Sequence, residues 1–205
     1  MTRDELERFL EYIRETEDVE LKAPGRLEGR TDPLVGQVIR AMLAMANHRG
    51  GGDIIIGIEE RAGRFEATGL DRGDAETWRL DRLSDRVARH ADPSIDFDIR
   101  QHEIAGRLYV NIAVSEFRDV PVLAREEFRD SAQRLLIRRG ATYLRPRRKP
   151  ESIEPQTSAD LRDLLDLAVA KAVARELDRL RDYGFLLRPS SAPDAEQFRR
   201  QRGDL

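Results

Sequence analysis

The chain has 205 residues, of which 40% are hydrophobic and 37% charged, with a net charge of −3. That length suits one core domain with an appendage. The absence of cysteine and the scatter of three histidines (His48, His90 and His102) exclude disulfides and thiolate metal sites and argue against a histidine zinc centre. No uncharged apolar run is long enough to span a membrane, and the N-terminus M-T-R-D-E-L-E-R lacks a secretory apolar segment, so a cytoplasmic protein with no membrane partner is expected.

Thr2 and Glu5 form a capping-box pattern, and Leu6, Phe9, Leu10 and Ile13 recur at helical spacing, which predicts a first helix to about Arg14. Asp18 to Lys22 reads as a strand, with Val19 and Leu21 on one face and Glu20 and Lys22 on the other. Asp32-Pro33 starts a core helix carrying Leu34, Val35, Val38, Ile39, Met42, Leu43 and Ala46. Gly50, Gly51 and Gly52 end it, with Asn47 capping the same turn. Helix, glycines, strand is the reverse of a P-loop, and no G-K-[ST] follows, so these four residues are read as a structural turn. Asp53 to Ile58 is apolar on both faces and predicts a central strand, with Arg64 to Gly69 as its hairpin partner.

A third helix is expected over Glu76 to His90 with Trp78, Leu80, Leu83 and Val87 inward. Ile95, Phe97 and Ile99 alternate with polar residues, as do Leu108, Val110, Ile112 and Val114, which predicts a hairpin turned at Ala105-Gly106. After an irregular stretch from Pro121, Leu135 to Arg138 and Thr142 to Arg145 are expected to pair across Arg139-Gly140. Pro146 to Pro155 reads as a linker. Thr157 or Ser158 then caps a helix to about Asp182, roughly 37 Å long, with an apolar stripe of Leu161, Leu164, Leu165, Ala168, Ala172 and Val173, widened by Val169, Leu177 and Leu180. The organisation expected is a domain over 1–150, a C-terminal helix over 151–188 for dimerisation or partner docking, and a flexible tail over 189–205. The fold class expected is α+β: a mixed or antiparallel sheet with packed helices, plus the long terminal helix.

Two groups of residues carry chemistry. Glu15 and Glu20 flank the turn into the first strand, and Glu59 ends the central strand; if those strands are neighbours, about 4.8 Å apart, the three carboxylates can share a hard divalent cation, Mg²⁺ or Mn²⁺. Lys22, on the face of Glu20, would offset their repulsion or contact a phosphate. The second group is basic. From Arg134 to Lys149 there are six arginines, one lysine and no acid. Arg138, Arg139, Arg145, Arg147, Arg148 and Lys149 are expected to grip phosphates, with Tyr143 stacking on an unpaired base.

The ordered motifs E-x4-E-L-K (Glu15 to Lys22), A-M-A-N-H-R-G-G-G (Ala44 to Gly52), I-I-I-G-I-E (Ile54 to Glu59), Gly69 and L-I-R-R-G-A-T (Leu136 to Thr142) resemble the AlbA_2 or Schlafen-like domain over roughly residues 10 to 148. The resemblance implies an α+β fold and nucleic-acid binding. In ribonuclease-active members three carboxylates cut tRNA or rRNA with a divalent metal. Glu15 and Glu20 fall on the first two positions, and Glu59 on the third, where active members carry aspartate. Schlafen cores pair two lobes around one RNA groove, so a single-lobe chain is expected to dimerise. The function expected is a nucleic-acid-binding protein, with RNA ahead of DNA, acting as a metal-dependent endoribonuclease. The alternative is a non-catalytic DNA-binding or regulatory module, or a subunit of a multi-protein defence complex that docks through its terminal helix.

Overall fold

The computed structural model describes residues 1–146 and 150–183. The expectations that fall on Arg147, Arg148, Lys149 and the tail over 189–205 lie outside the described residues. The elements in chain order are α1 (Arg3–Glu11), β1 (Val19–Lys22), α2 (Pro33–Ala46), β2 (Gly52–Ile56), β3 (Ile58–Arg61), β4 (Arg64–Ala67), α3 (Arg72–Ala75), α4 (Leu80–His90), β5 (Ala91–Asp92), β6 (Phe97–Ile104), β7 (Arg107–Val114), β8 (Leu123–Ala124), β9 (Phe128–Arg129), β10 (Leu135–Ile137) and α5 (Ser158–Asp182). The mixed α+β class is the one expected.

A four-stranded sheet runs β1-β2-β7-β6. β1 is parallel to β2, Glu20 lying beside Ile54 and Lys22 beside Ile56; β2–β7 and β7–β6 are antiparallel. Strand alternation splits the apolar residues between two faces. Ile54, Ile56, Val110 and Ile112 point to α2, and Ile55, Val19, Leu21 and Tyr109 point to Leu6 of α1. α2 has apolar residues all round because both sides are covered, and it forms the centre of the larger core. Asp32 caps it, accepting from the Leu34 N–H at 2.8 Å. Because β1 is an edge strand with Val19 and Leu21 turned to α1, Glu20 and Lys22 are left on the α2 side of that edge.

Four predicted elements differ. The first helix stops at Glu11 rather than Arg14. The expected central strand is broken at Gly57, with φ of 114°, where a Cβ would lie 2.9 Å from Leu70 and 3.0 Å from Tyr109. β3 therefore leaves the main sheet and pairs only with β4. The third helix starts at Leu80 rather than Glu76, because tertiary bonds fix the residues before it: the Thr77 hydroxyl accepts from Leu27 N–H, and the Trp78 indole donates to the Gly25 carbonyl, each at 2.8 Å. The last hairpin is also re-paired. β10 lies against β9, and Leu144 bridges Ile153 inside the expected linker. The cause is Asp130, fully buried, whose carboxylate accepts from the Ala132 and Arg134 N–H groups at 2.9 Å each and turns the chain back.

Candidate functional site

The edge of β1 brings together Glu15, Glu20 and Lys22 with Arg145. Glu20 is 8% exposed. One carboxylate oxygen accepts from Lys22 Nζ and the other from Arg145 Nη1. Arg145 is 4% exposed, and it donates as well to the carbonyls of Thr16 (2.6 Å), Glu17 (2.8 Å) and Val19 (3.1 Å). Glu15, half-buried, accepts from the Leu21 N–H at 3.0 Å. Burial, and next the charge of Glu20, push the Glu15 carboxyl above its ordinary range against the pull of that hydrogen bond, Lys22 and Arg145.

Glu59 sits on the separate β3–β4 hairpin, opposite Glu66. It is held by Arg61 at 2.8 Å. Among the described residues, no group of three or more histidine, cysteine, aspartate or glutamate side chains is placed to hold a metal ion. In this arrangement both oxygens of Glu20 accept from cationic side chains, Lys22 and Arg145, and Glu59 is paired with Arg61 on its own hairpin. A hard ion needs free, converging oxygens.

The expected basic strip divides. Arg145 is a buried brace and not a surface contact. Tyr143 is 5% exposed, and its hydroxyl accepts from the Arg138 N–H at 2.8 Å, so the ring lies under the turn instead of offering a face to a base. Arg138 is outside, forked onto Glu154 with Nε to Oε1 at 3.1 Å. Arg139 is exposed and makes no ion pair with any described residue. Asn47, 5% exposed, is structural as expected but reaches further than its own turn: it donates to the carbonyls of Val122 (2.8 Å) and Tyr143 (3.1 Å) and accepts from Val122 N–H at 2.8 Å. Gly50 and Gly51 have φ of 84° and 74°, and a Cβ on Gly51 would fall 2.0 Å from the Val114 carbonyl oxygen. Only glycine makes this turn without strain.

Sequence reasoning passed over one cluster. Arg30, from the loop before α2, meets Arg82, Arg86 and Arg89 of α4 along a single groove. The spacing of three arginines at i, i+4 and i+7, which is one helix face, was the available signal.

The family model described as Schlafen, AlbA_2 matches residues 15–146. The chain belongs to the Schlafen AlbA_2 family, and membership suggests a nucleic-acid-related function. No curated relative matches it. Among solved structures, the chain is similar to the DIP2311 protein from Corynebacterium diphtheriae, with 19% identity and a TM-score of 0.45, over 74% of this chain and 26% of that one. It is also similar to the N-terminal domain of a RecG-related protein from Nitrosomonas europaea, with 17% identity and a TM-score of 0.40, over 56% of this chain and 72% of that one. The chain thus spans about a quarter of the DIP2311 protein. No helix among the described residues is long and apolar enough to cross a membrane.

Proposed function

We propose that this chain is a nucleic-acid-binding module that holds a phosphate backbone through exposed arginines and does not cut it. The observation that carries this reading is the Arg138-Arg139 turn, set on the outside of a Schlafen AlbA_2 domain with Arg139 unpaired among the described residues. Guanidinium groups in that position give sequence-independent affinity. RNA is placed ahead of DNA on the family resemblance alone. Catalysis is placed second because Glu20, on which it would depend, is buried between Lys22 and Arg145.

That second reading is a metal-dependent endoribonuclease using Glu15, Glu20 and Glu59, with Lys22 beside them. One observation favours it: Glu15 and Glu20 share an edge at which Glu15 resists ionisation, a tension that a cation would relieve. Incubation of single-stranded RNA and DNA with Mg²⁺ or Mn²⁺ separates the two. Binding without cleavage supports the module; metal-dependent cleavage that is lost in Glu20→Gln supports the enzyme.

Self-association belongs to the same proposal. α5 docks by Leu164 and Leu167 but leaves Leu161, Leu165, Val169, Val173 and Leu177 between 40% and 60% exposed. A second copy laid against α5 covers the stripe.

A further inference from the structure

Arg30, Arg82, Arg86 and Arg89 line a groove of about 370 Å³ on the outer face of α4. Two acids share it. Glu28 is engaged by Arg26 at 3.4 Å, which leaves Asp85 against four guanidinium groups. Arg86 is braced on the Gly29 carbonyl. Arg30, Arg82 and Arg89 are exposed and make no ion pair with any described residue. A neighbouring hollow shares Arg30, Arg86 and Arg89 and adds one further acid, Glu126. Like charges on one face repel, and here the fold neither pairs them nor spreads them.

We propose that this groove is a second backbone-binding site, taking the phosphodiester chain of a nucleic acid. From Arg82 to Arg89 the helix rises about 10 Å, more than one phosphate needs. Guanidinium forks match phosphate oxygens geometrically, and the brace on Arg86 fixes one of them in advance. The lining side chains carry charge rather than base-sized hydrogen-bonding patterns, so the site reads backbone and not sequence.

This proposal rests on the nucleic-acid-binding reading above, and one titration tells their failures apart. Binding of a short labelled single-stranded RNA is followed by fluorescence anisotropy over a range of salt concentrations. Each lost phosphate contact flattens the slope of log K against log salt by about 0.7, so Arg30→Gln, Arg82→Gln and Arg89→Gln combined should flatten it by about 2. The corresponding lysine triple, which keeps the charge, should retain the slope. The single Arg82→Gln variant, expected to lose about 0.7, serves if the triple fails to fold by circular dichroism. An unchanged slope in the glutamine variants, with a flattened one in Arg139→Gln, overturns the groove and leaves the module standing. A wild-type chain that binds neither this RNA nor single-stranded DNA of the same length overturns both.

Discussion

Arg145 joins segments more than a hundred residues apart in the chain. Its guanidinium donates to the Thr16 and Glu17 carbonyls in the loop before β1, to the carbonyl of Val19 at the start of β1, and to the carboxylate of Glu20. Removing it leaves a buried carboxylate with only Lys22 and takes one hydrogen bond from each of those carbonyls. Arg145→Ala should cost about 3–5 kcal/mol in urea unfolding. A loss below about 1 kcal/mol, the size of an exposed pair, would mean that water replaces the brace. Glu15 gives a pH-dependent counterpart. Its folded pKa lies above the unfolded one, so the folded state binds the extra proton in the window between them and stability falls as pH rises through it. Glu15→Gln keeps an acceptor for the Leu21 N–H and removes the penalty. It should melt higher than wild type at neutral pH, and the advantage should vanish below the ordinary carboxylate range. A lower melting temperature at neutral pH would contradict burial as the dominant cause.

At the scale of elements, α5 is the unfinished piece. Two leucines seat it on the core, and Lys171–Glu116 and Arg175–Asp119 pairs fasten the same side. The stripe that turns away has no cover among the described residues. Leu165→Glu with Val169→Glu should halve the mass measured by light scattering if a second copy covers it, and a wild-type monomer at every concentration would remove the idea. The caps and periodicity of α1, α2 and α5 were legible because local bonds decide them: Thr2 with Glu5, Asp32 before Pro33, and Thr157 with Asp160. The alternation of β6 and β7 was equally readable. What escaped was decided by distant partners. Gly57 breaks a strand of continuous isoleucines because Leu70 and Tyr109 crowd it, and Trp78 holds the start of α4 back to Leu80 by reaching Gly25. β9 was hidden because it is two residues long, and its pairing with β10 depends on the buried Asp130.

For the molecule as a whole, the distribution of charge matters more than its sum. A net charge of −3 hides two outward arginine groups, one at the Arg138-Arg139 turn and one along α4. The first was visible as an acid-free run, whereas the second is interspersed with acids in sequence and gathers on one face only when the helix forms. The run also misled, since Arg145 and Tyr143 lie within it yet are folded inward. Composition cannot tell a surface guanidinium from one that a neighbouring loop has already claimed. The glutamates show the same limit. Glu15 and Glu20 met because one turn joins them, while Glu59 went with its hairpin once Gly57 diverted the strand. The most direct measurement of the central claim is the titration of single-stranded RNA with the wild-type chain in EDTA. Metal-independent binding that weakens steeply with added salt, with the RNA recovered intact, is the expected result; no binding without a divalent ion would contradict it.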